Sequence, residues 1–152
     1  MSGRFFLDTN IFIYTFDSKA PAKAKKAVQL IRRAADTGEG IISYHVVQEF
    51  FNVALRRFPQ PMNAAEAEQY LITVLRPLLA VHSSPAIYLE ALRIAEKHRM
   101  SWYDSLIIAA ALEAQCELLY SEDLQHGRKI ENLRIENPFT GPSKPSAPFR
   151  HQ

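Results

Sequence analysis

The 152-residue sequence predicts an α/β domain built on a mostly parallel sheet of about five short strands. Three observations carry that expectation. Short apolar segments alternate with amphipathic stretches of helical length, the signature of βαβ units. No internal repeat interrupts the alternation, and Thr37-Gly38-Glu39-Gly40 and Phe58-Pro59-Gln60-Pro61 mark clear breaks in it. The composition, 47% apolar and 22% charged, suits one domain with a substantial core.

The elements follow in order. Phe5 to Leu7 is the first strand, and Asp8-Thr9-Asn10 offers three good N-caps to a short helix over Ile11 to Phe16. An amphipathic helix spans about Ala20 to Ala35, with Lys25, Lys26, Arg32 and Arg33 as a basic stripe. Gly40 to Ser43 is the second strand. The helix His45 to Arg57 buries Val46, Val47, Phe50, Phe51 and Ala54, leaving Glu49 at the border of that arc. A helix over Ala64 to Leu75 leads to the strand Leu78 to His82, and one over Pro85 to His98 to the helix Trp102 to Gln115. In that last helix LIIAAAL is apolar all round, so it is buried on several sides. Glu117 to Tyr120 and Leu133 to Ile135 complete the sheet. From about Pro138 four prolines with Ser, Gly and Lys cannot support a packed element. The expected organisation is one domain over residues 1–139 and an exposed, mobile Pro-rich tail over 140–152.

Bulk properties exclude several classes. Net charge is +2, which permits nucleic-acid binding without indicating it. A single cysteine, Cys116, excludes an internal disulfide framework. The N-terminus reaches a charge too soon for a secretory signal, and the longest apolar run, Leu106 to Leu112, is far short of a membrane span. The expected location is the cytoplasm. Neither a G-x-x-x-x-G-K-[ST] loop nor a G-x-S-x-G elbow is present.

Four acids stand at the ends of apolar segments: Asp8, Glu49, Asp104 and Asp123. In a parallel sheet the strands end at one edge. Asp8 directly follows the first strand, and Asp123 lies just past the Glu117–Tyr120 strand. If those strands are neighbours at a switch in strand order, their ends flank a crevice. The helix carrying Asp104 must run antiparallel to the strand it precedes, so its start lies at the same edge, and Glu49 sits early in a helix that begins there. Each acid also has a plainer use. Asp8 can cap a helix, although Thr9 or Asn10 can do so and leave Asp8 free. Glu49 can be a solvated border residue, and Asp104 completes part of a capping box with Ser101. Asp123 can serve a turn, and Glu122 is locally its equal. Together, four carboxylates at one rim repel one another unless a cation neutralises them. Hard oxygen donors select Mg²⁺ or Mn²⁺, whereas His45, His82, His98, His126 and His151 show no metal-ligand spacing.

The ordered set FLDTN, VVQEF, YDSLIIAAAL and LYSEDLQHG resembles PIN-domain ribonucleases, especially VapC-type toxins of bacterial toxin–antitoxin pairs. The resemblance runs from about Arg4 to Phe139. It implies a three-layer α/β/α fold with the parallel sheet sandwiched by helices, and metal-dependent endonucleolytic cleavage of RNA. The family's catalytic and metal-binding quartet carries over onto Asp8, Glu49, Asp104 and Asp123, preferring Asp123 to Glu122. Asn10, Thr9 and Ser121 take supporting positions. One or two Mg²⁺ or Mn²⁺ ions are the implied cofactors; RNA, a small antitoxin and a second copy of the chain are the implied partners. Arg128 and Lys129 are the basic residues nearest the last acid and candidates for RNA contact. Trp102 and Tyr103 can stack a base, with core packing the preferred reading. The alternatives are a housekeeping RNA-processing nuclease without an antitoxin, or a non-catalytic interaction module on the same fold.

Overall fold

The computed structural model describes residues 3–140. Its six strands, β1 (Phe5–Leu7), β2 (Gly40–Ser43), β3 (Leu79–Val81), β4 (Leu118–Tyr120), β5 (Lys129–Ile130) and β6 (Leu133–Glu136), form one sheet in the order β3-β2-β1-β4-β6-β5. All pairings are parallel except β5 with β6. Helices connect the parallel strands: α1 (Thr9–Tyr14), α2 (Pro21–Thr37), α3 (Tyr44–Ala54), α4 (Ala64–Tyr70), α5 (Pro85–His98) and α6 (Trp102–Glu113). Phe5, Phe6 and Leu7 are all buried. Successive strand residues face opposite sides, so both faces of β1 are covered and helices flank the sheet on each side.

The chain steps from β1 to β2 to β3 in one direction, then returns across the sheet to place β4 on the other side of β1. β1 and β4 therefore meet where the strand order reverses, the expected switch point. Residues after both strands emerge at that crevice, and Asp8 N–H still donates to Tyr120 O at 3.1 Å beyond β1. Two glycines make the approach to β2 possible. Gly38 ends α2 at φ +72°, where its N–H caps Ala34 O. A Cβ on Gly40 would lie 2.0 Å from Ala34 Cβ, so helix and strand touch only because that atom is missing.

The core centres on fully buried Phe6, Phe12, Phe50, Ile42, Ile108 and Leu119. In α6 every residue from Ser105 to Ala111 is buried, as an all-round apolar helix requires. Three details differ from the sequence-based expectation. The short strand β5 is additional and antiparallel; it turns back into β6 through Glu131, whose φ is +55°. The helix expected over Ala64 to Leu75 is α-helical only to Tyr70, continues as a wider π turn over Leu71–Leu75, and tightens to a 3₁₀ turn at Arg76–Leu78. Pro77, without an N–H, sits in that tightened end and delays the strand to Leu79. The expected Pro-rich tail lies, after Thr140, outside the described residues; Phe139 packs edge-on against Tyr14 with ring centroids 5.1 Å apart.

Candidate active site

A small cavity of about 120 Å³ opens at the switch point and is lined by Asp8, Thr9, Asn10, Glu49, Asp104 and Asp123, with Tyr103 and apolar Ile13, Val53 and Ile107 between them. The four acids come from four separated segments: the end of β1, the middle of α3, the first turn of α6 and the loop after β4. The chain is thus brought to one place from positions 8 to 123. A space this small, well below the ~300 Å³ of small-molecule clefts, suits an ion with a few waters rather than an organic cofactor.

Three of the four carboxylates are held by a neighbour, and Asp104 is fixed through its backbone. Asp8 is the N-cap of α1: its Oδ1 accepts from Thr9 N–H at 2.7 Å, and its Oδ2 accepts from Ser121 Oγ at 2.8 Å. The cap and the cavity wall are therefore one residue, and Thr9 and Asn10 are released for other work. Thr9 Oγ1 donates to Glu49 Oε1 at 2.7 Å, and Asn10 Nδ2 donates to Asp123 Oδ2 at 2.7 Å. Glu49 is half-buried rather than the solvated border residue its helical position suggested. Ser101 caps α6 by accepting from Asp104 N–H at 3.2 Å, which turns the helix start toward the cavity.

The electrostatics follow from this crowding. Burial pushes the Asp8 carboxyl up to about 7; the charges of Glu49 and Asp123 add to the rise, while the Ser121 and Thr9 hydrogen bonds oppose it. Asp123 is also raised, first by desolvation and then by Asp104 and Glu122, with Asn10 pulling the other way. A site that disfavours its own negative charge favours a cation. The donor set, four carboxylates in an ion-sized space, fits a hard divalent metal. Among the described residues no three His, Cys, Asp or Glu side chains stand close enough together to hold a metal ion as they are; donors from Thr9, Asn10 and Ser121 keep Glu49, Asp123 and Asp8 apart around the wall.

The structure also separates Glu122 from Asp123. Lys23 and Tyr14 both donate to the Glu122 carboxylate, and Glu122 does not line the cavity. Arg128 and Lys129 do not reach the wall either: Arg128 Nη2 donates to His98 O at 3.3 Å, and Lys129 is exposed on β5. The preferred core reading of Trp102 and Tyr103 is overturned, since they are 38% and 65% exposed. Sequence reasoning passed over His45, Gln48 and Asn52, which line a neighbouring cavity. Their spacing along α3 was the available signal.

A PIN domain family model matches residues 5–131. This chain belongs to the PIN domain family. Solved structures agree on the fold. The PIN domain here resembles a toxin–antitoxin complex from Klebsiella pneumoniae, at a TM-score of 0.62 and 16% identity over 88% of this chain and 97% of that one. It is similar to FitAcB from Neisseria gonorrhoeae (TM-score 0.60, 17% identity, 88% and 97% covered). It also resembles VapC20 from Mycobacterium tuberculosis, described as a sarcin–ricin loop cleaving toxin (TM-score 0.57, 19% identity, 78% and 89% covered). No curated protein matches the chain significantly. Among the described residues no helix of this PIN domain is long and apolar enough to cross a membrane.

Proposed function

We propose that the chain is a divalent-metal-dependent endoribonuclease and the toxin of a toxin–antitoxin pair. The convergence of Asp8, Glu49, Asp104 and Asp123 on one ion-sized cavity at the switch point carries this reading. Family membership supports it, as does fold likeness to toxins, one of them named for cleaving the sarcin–ricin loop. Asp8, Asp104 and Asp123, with Glu49 beside them, would hold Mg²⁺ or Mn²⁺. The ion would supply a water of lowered pKa for in-line attack on phosphorus and offset charge on the leaving oxygen.

The chain's own residues then have distinct tasks. Ser121 and the Thr9 N–H fix both oxygens of Asp8, Asn10 fixes Asp123, and the Thr9 hydroxyl fixes Glu49. Those bonds orient the carboxylates before anything binds, which is how supporting donors tune such sites. Glu49 would bind the ion through water or orient the attacking water. An antitoxin would have a cleft of about 580 Å³ to enter, lined by Phe16, Phe58, Met62 and Tyr70.

Purified protein should cleave single-stranded RNA with Mg²⁺ or Mn²⁺, and Asp104→Asn should remove at least most of that activity. Cleavage that persists in excess EDTA would defeat the mechanism. Growth inhibition by the wild type and not by Asp104→Asn, relieved by a co-expressed small neighbouring reading frame, would support the toxin role. Equal inhibition by both would favour a non-catalytic module.

A further inference from the structure

A second cavity of about 490 Å³ adjoins the acidic one and shares two wall residues with it, Glu49 and Tyr103; His45, Gln48 and Asn52 complete it. On α3, residues 45, 48, 49 and 52 recur at helical spacing, so four polar side chains form one stripe opposite the buried Phe50 and Ala54. Glu49 is held by Thr9 and His45 Nδ1 lies 3.4 Å from Ser43 Oγ, but the fold gives the rest of the stripe little to do. The Asn52 side chain is exposed and makes no hydrogen bond among the described residues. Gln48 gives one N–H to Tyr44 Oη at 3.2 Å. His45 is 7% exposed, and its Nε2 is buried with no partner.

Aromatic surface surrounds these groups. Tyr103 is 65% exposed, and Tyr88 stacks on Trp102 with centroids 6.2 Å apart and an interplanar angle of 28°, both rings remaining open to solvent. Among the described residues no Lys or Arg lines the cavity. Its chemistry is therefore wrong for a phosphate group and right for an uncharged planar ring with hydrogen-bonding edges. Its volume lies within the ~300–1,000 Å³ of small-molecule clefts, whereas the acidic cavity is too small for a base. Base-paired RNA keeps its rings stacked inside the duplex, so only an unpaired base can present a face to Tyr103.

We propose that this cavity holds the unpaired nucleobase beside the scissile phosphodiester, with Tyr103 stacking on the ring and the Asn52 and Gln48 amides reading its edge. The inference rests on the nuclease reading, and it adds a source of sequence preference to it. The shared wall makes the connection: a base against Tyr103 lies beside Glu49, so its adjoining phosphate reaches the cation that the four acids are proposed to hold.

The test is fluorescence anisotropy of a labelled single-stranded oligoribonucleotide in EDTA, with wild type, Tyr103→Ala, Tyr103→Phe and Asn52→Ala. Tyr103→Ala should weaken binding about tenfold or more and Tyr103→Phe by no more than about twofold, because the ring face is retained. Asn52→Ala should flatten discrimination among the four bases at one position. In Mg²⁺, the same alanine variant at 103 should raise KM more than it lowers kcat. Unchanged affinity in both Tyr103→Ala and Asn52→Ala, or equal affinity for a duplex of the same sequence, would overturn the assignment. Tyr103-dependent binding without metal-dependent cleavage would uphold the base cavity and defeat the nuclease reading. Cleavage with binding indifferent to both residues would do the reverse.

Discussion

Removing the charge at residue 8 should stabilise the metal-free protein while abolishing its proposed chemistry. Burial raises Asp8 from the ordinary 3.8 to about 7. Between those values the folded chain keeps a proton that the unfolded chain has released, so folding stability falls as pH rises through this window. Below about pH 4 both states are protonated and the penalty vanishes; above about 7 it is complete. Asp8→Asn keeps an acceptor for Thr9 N–H and carries no charge. Its folding stability in EDTA should exceed that of the wild type at pH 8 by on the order of a few kcal/mol, read as a higher melting temperature, and converge with it near pH 4. A difference independent of pH would rule out burial of charge as the cause. Thr9→Val tests the supporting bonds: losing the hydroxyl that holds Glu49 should cut cleavage about 10–100-fold with the circular dichroism spectrum unchanged. The four acids were legible because residue type and chain order alone put them at one sheet edge. The choice of Asp123 over Glu122 came from the family resemblance and not from local chemistry, because the Lys23 and Tyr14 that occupy Glu122 are far away in sequence. The exposure of Tyr103 was equally hidden, since a ring at a helix start reads alike whether it faces the core or water.

At the level of elements, the tightest constraint is the meeting of α2 with β2. Gly40→Ala would drive a methyl to 2.0 Å from Ala34 Cβ and 2.7 Å from its Cα, a backbone-limited clash. The variant should lose ~1–3 kcal/mol or more, read as a lower urea midpoint, and Ala34→Gly in the same chain should restore part of it. Indifference to Gly40→Ala would mean that helix and strand can part at no cost. Periodicity located every long helix because each buries one face or, in α6, all of them. It missed β5, a two-residue strand turned by Glu131-Asn132 rather than by a glycine pair, and it ran α4 straight through the π turn before Pro77. Short elements fixed by their neighbours leave no periodic trace.

For the whole molecule, the cavity links ion binding to folding. Four carboxylates meet only in the folded chain, so a cation that binds there must raise stability, by ~2.7 kcal/mol at a hundred times its Kd. At that concentration Mg²⁺ or Mn²⁺ should therefore raise the wild-type melting temperature by about 5–11 °C, and raise that of Asp104→Asn far less. Equal shifts in both proteins would place the ion elsewhere. The sheet itself has a last consequence. Its outer strands, β3 at one side and β5 at the other, are only three and two residues long. Each offers a passing chain too few unpaired backbone rungs to act as a template for strand addition. The proposed antitoxin would therefore have to grip side chains in a groove or cover the acids rather than extend the sheet.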